Sequence, residues 1–236
     1  MTLVLGARCV DGVVVAADRK IIDLTTRNLV DYDEKMYGVL SNVIFAYEGA
    51  RDMFRVFLRY VAGDILILRD EEEKYTSNNL IQKLSNSMNI LRGIRDEHSK
   101  DFRLSVMIAR QFPRDGRSDL HVIKSNGKYE YVNEWRAIGS AGITAKEYVK
   151  QNWNSNMDMR EFAEASYCII KYLEKEKLDE SVGVDVYNPS IKYLKDGAEI
   201  DTEPCASEFT KFEESYDTYA RGFAKIQRDT LTTILD

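Results

Sequence analysis

Apolar and polar positions divide the chain into stretches of two different periods. In the first 49 residues, apolar residues come in short runs bounded by turn residues. TLVLGARC and VVVAAD lie either side of Asp11-Gly12, and MYGVL and VIFAYEG lie either side of Ser41-Asn42. Runs of this length around a two-residue turn predict antiparallel hairpins. From Ala50 to Leu68 the period lengthens: Met53, Phe54, Phe57, Val61 and Ile65 recur at helical spacing. EEEKYTSN breaks that pattern. A second helix is predicted over 79–98, with Leu80, Leu84, Met88 and Leu91 on one face.

Strand-like runs then return. FRLSVMIAR, LHVIK and KYEYV, joined by loops holding Asp115-Gly116 and Asn126-Gly127, predict a meander. AIGSAG reads as a glycine-rich turn, ITAKEYVKQNW as the start of a helix, and MDMREFAEASYCIIKYLEKEK as another. Phe162, Tyr167, Ile170 and Leu173 supply that helix's core stripe. VDVYN and IKYL read as strands closing the sheet region. The order strands, two helices, strands, two helices, strands predicts an α+β layered fold in which each sheet has one face covered by helices. No internal repeat or interdomain linker is visible, so residues 1–202 are expected to form one domain and 203–236 a C-terminal extension. In that extension Phe209, Phe212, Tyr216, Tyr219, Phe223 and Ile226 form one narrow apolar seam on a helix of about 26 residues, about 39 Å long. Two partners fit such a seam: the chain's own domain or a neighbouring subunit.

Composition narrows the function class. The apolar (44%) and charged (31%) fractions are those of a soluble globular protein. The net charge of -6 argues against a general nucleic-acid binder. No apolar run approaches the roughly 18 to 20 residues of a membrane span, and no secretion signal is recognisable. Three scattered cysteines, Cys9, Cys168 and Cys205, suit a reducing compartment, so a cytoplasmic location is expected. With only His98 and His121, both read as structural or solvated, neither a metal site nor a cofactor is expected.

Candidate chemistry begins at Thr2. Loss of Met1, which a small second residue permits, would leave a threonine carrying both a hydroxyl nucleophile and an α-amine. The amine's reference pKa is about 7.7–8.0, and threonine with its own terminal amine is a recognised nucleophile–base unit. Asp18 ends VVVAAD behind the small Ala16 and Ala17, and Lys35 precedes the strand MYGVL.

Taken in order, Thr2, DGVVVAAD, the EK before a strand, the glycine of AYEG, and AIGSAG followed by Ala145 resemble the β-type subunits of the proteasome family, within the N-terminal nucleophile hydrolases. These marks span most of residues 2–183. The resemblance implies a four-layer αββα sandwich with Thr2 as nucleophile. Lys35 would favour its ionised hydroxyl, Asp18 would fix that lysine, and the Gly49 N–H would face the oxyanion. Ser140, with Asp179 and Ser181 of DESVG, would lie near the terminal amine. Ile21, Asp33, Tyr47 and Arg51 fall at substrate-pocket positions, where a tyrosine base makes the pocket shallow and Arg51 favours an acidic or polar group. It also implies a homo-oligomeric ring that takes peptides or unfolded proteins, with a possible ATPase unfoldase partner.

The sequence departs from that family's pattern in places. Val182 holds the position of a serine expected after Asp179, with Ser181 one place early, and GARD is one residue short of the usual glycine-to-aspartate spacing. The aromatic C-terminal helix is not a usual part of β-type subunits, and no propeptide is expected before the threonine. Three functions follow from the resemblance: a threonine peptidase, a proteasome-like peptide ligase passing the acyl group to an amine, and a non-catalytic structural subunit.

Overall fold

The Asp11 turn closes the first hairpin. Strand β1 (Leu3–Cys9) pairs antiparallel with β2 (Gly12–Ala17), as their flanking apolar runs require. The computed structural model describes residues 2–22, 29–40, 42–70, 77–96, 103–112, 117–180, 182–184, 187–196 and 202–235. Strands β3 (Lys20–Ile22) and β4 (Leu29–Tyr32) form a small ribbon, and β5 (Met36–Leu40) and β6 (Val43–Gly49) form the second predicted hairpin. Helices α1 (Arg51–Asp70) and α2 (Ser77–Asp96) follow. The meander comes next as β7 (Leu104–Phe112), β8 (Arg117–Ile123) and β9 (Tyr129–Tyr131). The chain ends with β10 (Trp135–Gly139), α3 (Gly142–Asn152), α4 (Met159–Lys175), β11 (Ser190–Lys195) and α5 (Ala206–Leu235).

Two sheets stack face to face, one ordered β10-β1-β2-β11 and the other β5-β6-β7-β8-β9. Strands β1, β2 and β6 are nearly continuous apolar runs because both of their faces are buried. Leu3, Leu5, Val14 and Ala16 face α3 and α4. The intervening Val4, Val13, Val15 and Ala17 face the other sheet, against Ile44, Ala46, Met107 and Ala109. On that second sheet Phe45, Tyr47, Val106 and Ile108 point outward to α1 and α2. The result is the expected αββα sandwich: the central strands have a partner layer on each face, and burial on both faces stabilises them.

Two expectations change. Residues read as a glycine-rich turn begin as strand β10, since Ala137 and Ile138 are buried and Leu3 pairs with Gly139. Only the end of AIGSAG turns, into α3. VDVYN, of which residues 185 and 186 lie outside the described set, forms no strand through Val184 or Tyr187. The backbone just before it is committed elsewhere, because the Gly183 carbonyl accepts the N–H groups of both Arg19 and Lys20. The β3–β4 ribbon, in turn, is absent from the sequence reading.

Helix α4 starts on a capping box: Asp158 accepts the Glu161 N–H, and the Glu161 carboxylate accepts that of Asp158. Helix α5 has 30 residues rather than the expected 26 or so. Its seam docks on this chain, with Phe212, Tyr216, Phe223 and Ile226 buried among α3 and α4 side chains. Phe223 sits 4.8 Å from the Tyr148 ring and 5.2 Å from that of Tyr172. Phe223→Ala is therefore expected to lower unfolding stability by about 3 kcal/mol through cavity formation. Urea denaturation reads this, and a loss below about 1 kcal/mol would place the helix's main anchor elsewhere.

Candidate active site at the first strand

The site is assembled from strand ends. Thr2 immediately precedes β1, Asp18 follows β2, and Lys35 precedes β5 of the other sheet. All three side chains are buried, Asp18 and Lys35 completely. The Asp18 carboxylate receives the Lys35 ammonium with both oxygens at 2.9 Å. Its Oδ1 also accepts the N–H of Leu3 at 2.8 Å, which belongs to the Thr2–Leu3 peptide. One oxygen thus ties the lysine to the peptide that follows Thr2. Oδ2 accepts the N–H groups of Lys20 (3.2 Å) and Gly183 (3.4 Å). Lys35 spends another proton on the Lys20 carbonyl at 2.6 Å.

Such a pair is costly to bury, because both ions leave water, and it persists only when every lone pair and proton finds a partner. Here the partners are backbone groups fixed by three strand ends and the 182–184 segment. Burial still works against both charges. It pushes the Asp18 carboxyl up, against the pull of the Lys35 charge and the N–H donors, and pushes the Lys35 ammonium down from the usual lysine range. Functional sites are among the places where such perturbed pairs cluster, as are structural ion pairs.

Thr2 is held on its other flank by β10. Leu3 pairs with Gly139, whose φ is +106°, and a Cβ there would lie 1.8 Å from the Thr2 carbonyl oxygen. Only glycine lets that strand end close over Thr2. Gly49, at the end of β6, is likewise at φ +112°, with the Arg103 carbonyl 2.0 Å from where a Cβ would stand. Ser140 follows Gly139 and is exposed. Asp179 is half-buried and turns the chain with its carbonyl, which accepts the Val182 N–H. Ser181 lies outside the described residues. Val182, where the resemblance expects a serine, is a core side chain packed with the α3 and α4 layer.

The four pocket positions differ in their surroundings. Asp33 and Arg51 are joined by a 2.8 Å ion pair, each about one-third exposed, so the Arg51 charge already has a counter-ion. Ile21 lies half-buried in β3. Tyr47 is fully buried in the outer core, its ring stacked on Phe54 with centroids 4.2 Å apart. The roles of the Lys20 carbonyl and the Leu3 N–H were not legible in the sequence, because backbone groups leave no residue signal. His121 is buried in β8 against the edge of the Tyr131 ring, and His98 lies outside the described residues. Among the described residues no helix is long and apolar enough to cross a membrane, and no cluster of His, Cys, Asp and Glu has a metal-holding arrangement.

Comparison with known proteins places the fold and the family. A solved structure of an Anbu (Gly-1) mutant from Hyphomicrobium sp. strain MC1 superposes with a TM-score of 0.72. The alignment covers 98% of this chain and 97% of that one, at 14% identity. At that coverage the shared fold takes in the long α5. No curated protein matches the chain. The sequence profile named Proteasome subunit matches residues 2–188, from Thr2 through the Gly183 segment that braces Asp18. With its αββα layers and that match over most of its length, the chain belongs to the proteasome subunit family.

Proposed function

We propose that this subunit is an N-terminal threonine peptidase. The observation that carries the reading is the buried Lys35–Asp18 pair anchored to the Thr2–Leu3 peptide. A scaffold gains little from such a pair, since apolar side chains of similar volume would stabilise the same place at lower cost. An ammonium held beside a threonine lowers the cost of ionising its hydroxyl.

In this mechanism Thr2 is the N-terminal residue. Its hydroxyl oxygen attacks the substrate carbonyl carbon, and the hydroxyl proton passes to its own α-amine. The Gly49 N–H stabilises the oxyanion, a contribution typically worth about 10²–10³ in rate. As the C–N bond breaks, the α-amine delivers that proton to the leaving amine. Water then adds to the ester, giving up a proton to the α-amine, and the acid product leaves with the Thr2 hydroxyl restored. Asp179, Ser181 and Ser140 are assigned to orient the amine. Ile21, Asp33, Tyr47 and Arg51 are assigned to the acyl side of the substrate. The Asp33 pairing leaves Arg51 suited to a polar rather than a fully charged group. Ring assembly from copies of this chain, a cytoplasmic setting, and delivery of unfolded protein by an ATPase complete the reading.

Intact-mass spectrometry with and without a threonine-reactive β-lactone tests it. The expected result is a chain beginning at Thr2 that gains one inhibitor mass. A Thr2-terminal chain that neither gains the mass nor cuts a peptide panel would favour a non-catalytic subunit, the reading that the core position of Val182 supports. Joined rather than cleaved product in the presence of an amine-bearing peptide would favour ligation. Within the panel, equal cleavage after glutamine and after lysine would remove the assigned polar preference.

The pH profile carries a further expectation. The acid limb follows the α-amine, which must be neutral to take the proton and titrates at about 7.7–8.0 in reference peptides. The alkaline limb follows discharge of Lys35, which burial moves below the ordinary 10.5. The kcat/KM profile should therefore be bell-shaped, falling on its alkaline side at a lower pH than a solvated lysine would give. A plateau extending past the ordinary lysine value would separate Lys35 from the chemistry.

A further inference from the structure

A cavity of about 340 Å³ opens on the β10 flank of Thr2. It is bounded by Gly139, the residue closed over the Thr2 carbonyl, and by Glu48, the neighbour of Gly49. Its far wall carries Lys124, Arg136 and Lys146, with Ser125 between them. This volume suits one or two residues of a peptide and lies within the range of small-ligand sites.

The position has a direction. Strand β1 is flanked by β10 on one side and β2 on the other. Asp18, which follows β2, holds Lys35 on the second flank, and Asp33, two residues before Lys35, pairs with Arg51. If the acyl side of a substrate lies toward Ile21 and Arg51, the segment beyond the scissile bond must leave across Gly139. The cavity lies on that exit.

Its charge is also specific. Lys124 and Arg136 share one carboxylate, Glu130, at 2.7 and 2.9 Å. Lys146 is exposed on α3, and among the described residues no carboxylate pairs with it. Glu48 is the opposing acid in the wall. Burial pushes its carboxyl up, and it accepts the Gly139 N–H, so part of its demand for a cation is already met. Three cations against two carboxylates leave the space positive, and both paired cations keep a substantial part of their surface open.

We propose that this cavity is the subsite for the leaving segment of the substrate, and that Lys146 with Lys124 and Arg136 selects a carboxylate there. The carboxylate comes from an acidic side chain just beyond the cleaved bond or from the free C-terminus of a short substrate. The assignment rests on the peptidase reading above and deepens it.

Two measurements keep the subsite separable from the chemistry. Quenched-fluorescence peptides identical up to the scissile bond, and bearing Glu or Gln beyond it, read selectivity in kcat/KM. A second pair, ending in a free carboxylate or a carboxamide, tells the two sources apart. Fluorescence anisotropy with labelled tetrapeptides of the same compositions reads binding whether or not the chain cuts. The acidic member of at least one pair is expected to bind about tenfold tighter, as a charge-assisted contact allows. That advantage should shrink with added salt and disappear in Lys146→Glu. Equal binding of both members of both pairs by the wild-type chain overturns the subsite, even if peptide hydrolysis is robust. Absent hydrolysis with the acidic preference intact overturns the peptidase reading and leaves the anion site standing.

Discussion

Thr2→Ala is expected to lose peptide hydrolysis by about 10⁴-fold or more, as removal of a nucleophile does in other acyl-transfer enzymes. Its unfolding midpoint should move little. The substitution deletes a hydroxyl and a methyl at a strand end and leaves the Leu3 N–H on Asp18, so the cost in stability is about 1 kcal/mol. Thr2→Ser keeps the hydroxyl and the amine and should retain measurable turnover and β-lactone labelling. Assays of both variants with a fluorogenic peptide, beside their thermal unfolding, separate chemistry from folding. If Thr2→Ala hydrolyses the peptide at the wild-type rate, the nucleophile lies elsewhere and the paired Lys35 has only a structural part.

Lys35→Ala should fail in both assays. It strands the Asp18 carboxylate in a fully buried place with backbone donors but no cation. Removing one partner of a buried pair costs about 3–5 kcal/mol, and loss of the ammonium should reduce kcat by orders of magnitude. Asp18→Asn separates these effects, because the amide oxygen still accepts the Leu3 N–H while the lysine loses its counter-ion. Burial then lowers the Lys35 value further. A lysine depressed in the folded state binds fewer protons there than when unfolded. Stability therefore rises with pH across that interval and is lost as pH falls through the folded value. Asp18→Asn should accordingly be more stable at alkaline than at neutral pH, with little turnover at either. Denaturation of the three chains across pH checks the order. An Asp18→Asn variant whose stability relative to wild type is independent of pH would mean that Lys35 reaches solvent.

Much of the architecture is written in periodicity. The first hairpin, the β5–β6 pair, the meander and the described helices follow from where short apolar runs bounded by turn residues give way to runs of period near 3.6. The aromatic seam from Phe209 to Ile226 likewise specifies a long helix with one dry face. The misreadings have one cause. The residues of AIGSAG and VDVYN carry only local signals, whereas strand formation at Trp135–Gly139 depends on Leu3, more than a hundred residues away, and Gly183 is held by Arg19 and Lys20. The β3–β4 ribbon is too short to show a period.

The candidate site divides in the same way. Thr2, Asp18, Lys35 and Gly49 were singled out by the resemblance to proteasome β-type subunits, and of these the structure joins Asp18 to Lys35 and to the Thr2–Leu3 peptide. One feature was not legible: the Asp33 carboxylate occupying Arg51. Sequence alone determined the layered class, the helices and which residues are candidates for chemistry, because local pattern and residue type set these. Tertiary structure alone decided that Asp18 Oδ1 joins Lys35 to the Thr2–Leu3 peptide, that α5 packs on its own domain, and that three cations meet beside Gly139. Each of these depends on contacts between groups far apart in the chain, and backbone donors and cavities have no letters of their own.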